Sequence, residues 1–215
     1  MTSAHAKPRL TRRGRSIRRR VFATALILLA MGVAIGSTTA AFSANTSNAN
    51  NTIATGTVAV GDNDGGSSPV VTLANARPGD TSTGCIKITY TGSLSSSMRL
   101  YANVTGTGLA QYIDLKITRG GSTADPFGSC TNFNSVADST DYIGQGPGVI
   151  YNGTLSAFPS TYSAGLIDPI SGTPESWSQN EAHTYKVQVT LQAGAPNAAQ
   201  ALTANPTFVW EARNE

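Results

Sequence analysis

Downstream of residue 50, apolar side chains recur at every second position, and β-branched residues alternate with polar ones between clusters of Gly, Pro, Asn and Ser. A period of two sends successive side chains to opposite faces of an extended chain, so the pattern predicts strands rather than helices. It predicts them over residues 53–60, 70–73, 85–91, 98–105, 112–119, 149–151, 183–192 and 207–212. The clearest lies within 185–191, where Val187, Val189 and Leu191 face a core while Lys186, Gln188 and Thr190 face water. Ile86, Ile88 and Tyr90 repeat the alternation, as do Leu100, Ala102 and Val104, then Ile113, Leu115 and Ile117, then Phe208 and Trp210. Five inward-facing sets in a helix-poor chain predict an all-β sandwich, either a jelly roll or an immunoglobulin-like variant, which alternation alone does not separate.

Residues 120–180 break this rhythm with Gly, Ser, Asp and Pro and with turn dipeptides such as Asp125-Pro126, Gly146-Pro147 and Asp168-Pro169. A structureless stretch of that length does not suit a compact domain, so the expectation is a loop-rich excursion holding one or two short strands.

The first 41 residues follow another pattern. Eight of the chain's 15 Lys and Arg residues fall in the first twenty positions, an apolar run fills residues 21–35, and small residues occupy 36–41. This is the layout of a secretory signal peptide, and the run is shorter than the ~20 residues a bilayer-spanning helix needs. Thr39 and Ala41 stand at the recognition positions for cleavage before Phe42, and cleavage after Ala40 fits nearly as well. The expected organisation is a signal peptide over 1–41 and one sandwich domain over 42–215. Arg19-Arg20 suits a twin-arginine signal or ordinary orientation charge. No Cys follows the run to carry a lipid, and no second apolar stretch occurs near the end, so no stable membrane anchor is expected after cleavage.

From residue 21 onward seven basic residues face twelve acidic ones, so the formal charge changes from +3 for the whole chain to −5. That balance argues against nucleic-acid binding, because the positive charge lies in the segment to be removed. With 40% hydrophobic and 13% charged residues, the chain is neither a disordered polyelectrolyte nor, with 22 Gly at no fixed period, a collagen. Cys85 and Cys130 both lie in the exported part, and an even count favours one disulfide over two buried thiols. A loop of about 45 residues would contribute roughly 3–4 kcal/mol in the chain-entropy model.

The ends of the expected mature chain resemble the TasA/camelysin family. Thr38-Thr39-Ala40-Ala41-Phe42-Ser43 is similar to its cleavage site, and the first strand is matched by Asn50-Asn51-Thr52-Ile53-Ala54-Thr55-Gly56-Thr57-Val58, with Ile53 in place of the usual aromatic. Ala76-Arg77-Pro78-Gly79-Asp80-Thr81 resembles its turn before a strand and a Gly-centred hairpin, the latter matched by Thr91-Gly92-Ser93-Leu94. Residues 187–191, Asn197-Ala198-Ala199-Gln200 and 207–212 are similar to its closing strands and their linker. A disulfide is not expected of the family, and 120–180 match none of its features. The resemblance implies a jelly-roll protein of a Gram-positive, actinobacterial source, processed by a SipW-type signal peptidase. It also implies a secreted or cell-surface subunit of biofilm-matrix fibres whose partners are further copies or related matrix subunits. Physically, an N-terminal strand carrying Ile53, Gly56, Val58 and Val60 behind a polar leader could fill a neighbour's open sheet edge.

Chemistry is sparse. Some family members are labelled metallo-endopeptidases, but the histidines are His5, in the signal, and a lone His183, and no HExxH occurs. No Gly-x-Ser-x-Gly elbow is present, and no acidic pair is distinctive by spacing. Asp62-Asn63-Asp64-Gly65 begins like a calcium loop but lacks the distal Glu, so an Asx-Gly turn is expected. Trp177, Trp210 and the tyrosines suit core filling better than a sugar-stacking face. The expectation is therefore a non-enzymatic protein without catalytic residues, metal or cofactor. A secreted carbohydrate- or ligand-binding module is the alternative.

Overall fold

A computed structural model of the chain describes residues 43–47, 58–65, 68–121, 127–168 and 176–214, and of 43–47 only the backbone path. The cleavage-site residues Thr39, Ala41 and Phe42, the strand residues Ile53 and Gly56, and His5 lie outside the described residues.

Among the described residues, ten strands form two antiparallel sheets packed as a sandwich: β1 (Ser43–Ser47), β2 (Val60–Asp62), β3 (Thr81–Tyr90), β4 (Ser96–Gly106), β5 (Ile113–Gly120), β6 (Val149–Thr154), β7 (Leu166–Asp168), β8 (Ser176–Trp177), β9 (Ala182–Leu191) and β10 (Ala204–Arg213). One sheet has the order β1-β10-β4-β7, with β8 also on β4, and the other has the order β2-β3-β9-β5-β6. First and last described strands are neighbours, and the chain changes sheet between β1 and β2, β3 and β4, β4 and β5, β6 and β7, β8 and β9, and β9 and β10. This is jelly-roll connectivity with β2 added at one edge, and it removes the immunoglobulin alternative.

The alternation predicted from sequence builds the layer between the sheets. Ile86, Ile88 and Tyr90 on β3, Leu100 and Ala102 on β4, Ile113, Leu115 and Ile117 on β5, Val187, Val189 and Leu191 on β9, and Phe208 and Trp210 on β10 are all buried. The two tryptophans are core residues, at 0% and 2% exposure, and present no sugar-stacking face.

Two features differ from the expectations, and a third falls mostly outside the described residues. The polar leader supplies a strand of its own, because β1 pairs with β10 from Ser43↔Arg213 to Ser47↔Val209. Of the strand expected at 53–60, residues 53–57 lie outside the described residues, Val58 is buried in the core and Val60 opens β2 opposite Tyr90. Residues 91–95 form an arch rather than a hairpin, since β3 and β4 lie in different sheets. Tyr90 stabilises that arch through its hydroxyl, which bonds the Leu94 carbonyl and Ser96 Oγ.

The excursion holds β6, β7 and β8 and is fastened to β3 by the Cys85–Cys130 disulfide, with a Cα separation of 5.2 Å. A disulfide is the mark of an oxidising, extracellular-type compartment. Among the described residues no helix is long and apolar enough to cross a membrane.

Candidate functional site

Two places in the sandwich depart from a closed apolar core. The first is a groove beside β10. One edge of β10 pairs with β4 along its whole length, but β1 covers the other edge only from Val209 to Arg213. Over residues 204–208 that edge carries no strand among the described residues.

Facing it is the strap at residues 68–73. Sequence alternation predicts a strand at 70–73, and the backbone there is irregular, with no ladder partner. Among the described residues, 69–76 make no backbone hydrogen bond. Val70, Val71, Leu73 and Ala76 hold the segment by packing on the core. It crosses β3 at Gly84, where a Cβ would lie 1.7 Å from the Val70 carbonyl oxygen, so only glycine permits the crossing.

Strap and open edge enclose a groove of about 520 Å³ floored by Ile86, Phe208 and Trp210. A smaller pocket of about 90 Å³, lined wholly by apolar residues, shares Val71, Leu73, Ala204 and Pro206 with it. The Trp210 Nε1 donor is buried without a hydrogen-bond partner. An extended peptide meets in such a groove a strand edge, a second irregular backbone and an apolar floor, which is what strand addition requires.

The second place is a buried ion cluster at the far end of β5 and β9. Arg119 Nη1 donates to Asp138 Oδ2 at 2.6 Å, and its Nε stands 2.9 Å from Asp168 Oδ1 in an ion contact too poorly aligned for a hydrogen bond. Arg119 Nη2 reaches His183 Nε2 at 2.9 Å. Tyr142 donates to Asp138, and Tyr185 donates to Asp168. Gly148 makes the end of β5 possible: it has φ +71°, and a Cβ there would lie 2.0 Å from the Arg119 carbonyl oxygen. Trp177 Nε1 donates to the Asp168 carbonyl at 3.2 Å, and its ring meets His183 edge-on at 4.8 Å.

Burial alone would lower the Arg119 pKa, but Asp168, Tyr185 and Asp138 outweigh it and keep the guanidinium charged. Burial pushes the Asp168 carboxyl up against the pull of Arg119. Burial, reinforced by the bond to Asp138, pushes the Tyr142 phenol up to about 12, and burial beside Asp168 raises Tyr185 well above its ordinary range. The cluster contains no serine or cysteine nucleophile, and its charged groups are engaged with one another. It cross-links β5 and β9 with the excursion, through Asp138 and through Asp168 of β7.

The remaining candidates resolve as turns. Asp62 Oδ1 accepts the N–H groups of Asp64 and Gly65, each at 3.0 Å, while Asn63 Oδ1 accepts from Lys87 N and Asp64 Oδ1 from Ser68 N. These oxygens are occupied by backbone donors, and no metal-holding group of His, Cys, Asp or Glu occurs among the described residues. Asp80 Oδ2 accepts from Arg77 N at 2.7 Å, closing the turn expected there.

His183 is the second residue of β9. Sequence reasoning missed the cluster around it, although a signal existed. Arg119 continues the inward series Ile113, Leu115, Ile117, and Tyr185 and His183 extend the series Leu191, Val189, Val187. Compared with protein-family models and with curated proteins, the sequence matches none.

Proposed function

We propose that this chain is a secreted or cell-surface structural protein of the TasA/camelysin type, assembling with further copies or related subunits by strand addition into surface or matrix fibres. The observation that carries this reading is the β10 edge at 204–208, which no strand covers among the described residues and which borders a groove floored by apolar side chains. The signal-like N-terminus and the disulfide support export. The donor is the N-terminal segment, because β1 is a short terminal edge strand already seated on β10 and can leave without changing the order of the strands behind it. Its departure would extend the acceptor edge along the whole of β10.

The test compares protein spanning 42–215 with protein spanning 58–215, which keeps buried Val58 and β2. The longer form is expected to give filaments by electron microscopy. The shorter form should keep its β circular dichroism, stay monomeric and bind a synthetic 42–57 peptide one to one. Filaments from the shorter form, or a folded shorter form that ignores the peptide, would overturn the reading. The alternative, a carbohydrate- or ligand-binding module, predicts instead that both forms stay monomeric and that both retain affinity for isolated cell-wall material.

A further inference from the structure

The nitrogen His183 Nε2 stands between two partners that need opposite things of it. Arg119 Nη2, 2.9 Å away, can only donate, because a guanidinium has no acceptor. Glu181 Oε1, 3.0 Å away, can only accept when ionised. Without a proton, Nε2 satisfies Arg119 and turns a lone pair toward the carboxylate. With one, it satisfies Glu181 and sets an N–H against an N–H. No single state of the ring serves both.

We propose that His183 is a proton-operated latch between Arg119 and Glu181. Unprotonated at Nε2, it accepts from Arg119 and ties the head of β9 into the buried cluster. On acidification Nε2 takes up a proton, the ring becomes an imidazolium, and its bond passes to Glu181 while Arg119 is released.

The surroundings determine which partner moves. Arg119 has a side-chain exposure of 5% and is held by Asp138 from the excursion and Asp168 from β7. His183 and Glu181 are 21% and 23% exposed, so the ring has access to water and room to turn. Glu181 is itself fixed, its other oxygen accepting from Ser178 N at 2.8 Å. From β3 the residue opposite is the uncharged Ile88, and from β8 the ring meets Trp177. Tyr185 on β9 and Tyr142 in the excursion reach the cluster through Asp168 and Asp138. With its carboxylates ionised the cluster sets three negative charges against one guanidinium, so a proton on His183 moves it toward neutrality. Contact between that proton and Arg119 is repulsive, whereas contact with Glu181 is attractive. Both terms are eased by the same motion, away from Arg119 and toward the surface.

The test is long-range ¹H–¹⁵N NMR of the histidine ring in the folded protein, titrated from about pH 8 to about pH 5, the range in which histidine charge changes are sought. At the upper end Nε2 is expected to be the unprotonated nitrogen. Protonation should occur in one step that also shifts the Arg119 side-chain resonances. Glu181→Gln removes the acceptor that favours the protonated ring, so it should lower the midpoint of the step. In a second readout, Trp177 emission should change over the same step and lose that change in His183→Gln. A proton on Nε2 at the upper end, Arg119 resonances indifferent to the titration, an unmoved midpoint in Glu181→Gln, or an emission step that survives His183→Gln would each overturn the latch.

Discussion

Strands β5 and β9 run from one kind of interior to another. At one end Ile113, Leu191 and Val189 line the small apolar pocket that joins the groove. At the other, the same inward alternation delivers Arg119, Tyr185 and His183. The apolar end can remain open at its margin, because an uncovered aliphatic surface loses only transfer free energy. The polar end cannot, because a buried charge without a partner costs several kcal/mol. One end is therefore suited to receive something, and the other is occupied with satisfying itself.

The largest effect is expected where the polar end is broken one-sidedly. Arg119→Met leaves Asp138 and Asp168 buried without their counter-ion and should cost about 3–5 kcal/mol by urea denaturation. Replacing the two aspartates by Asn in the same chain should recover part of that loss. If Arg119→Met is instead no worse than a surface substitution, the cluster does not stabilise the fold and the contrast between the ends disappears.

Next comes the tether. Replacing both Cys85 and Cys130 by Ser should cost about 2–4 kcal/mol. It should also raise amide exchange in the excursion around Asp138 before it does so at 204–208, because the bridge fastens the excursion to β3. Uniform loosening of both ends would count against that division. At the apolar end, Ile113→Ala should fall near the lower limit of the ~2–5 kcal/mol range for such truncations, since the neighbouring pocket lets the site relax. Leu115→Ala, fully buried in mid-strand, should cost more, and a reversed order would refute the account of the open end.

The smallest effect is in alkali. Tyr142 has its folded pKa raised to about 12 and Tyr185 is also raised, so both phenols favour the fold while protonated. Stability from them is complete below the ordinary phenol pKa of ~10 and declines as pH rises from there through the folded values. Tyr142→Phe should flatten that decline in thermal unfolding measured between about pH 9.5 and about pH 11.5, leaving neutral stability little changed, and a slope identical to wild type would remove Tyr142 from the explanation.

Much of the core was readable because the side-chain period of a strand is a local property. Val187, Val189 and Leu191 declare their face without knowledge of what lies opposite, and Arg119 and His183 would have declared theirs had the inward series been extended past its apolar members. Asp138 and Asp168 could not be read in this way. They come from the irregular excursion, and only the fold brings them within 3 Å of Arg119. The arch at 91–95 illustrates the same limit: a Gly-centred turn between two strands looks like a hairpin until the sheets to which those strands belong are known. The strand β1, made of small polar residues, carried no alternation to detect and is defined by its partner β10.

The sequence by itself determined the class of the fold, the inward faces of its main strands and the cysteine pair, because alternation, turn chemistry and an even thiol count act over a few residues or need no geometry. The tertiary structure alone decided the jelly-roll order, the groove between the strap and β10, and the pairing of Arg119 with Asp138, Asp168 and His183. Those depend on which distant segments share a sheet or an interior, and in an antiparallel sandwich that is set by long-range pairing that no local pattern encodes.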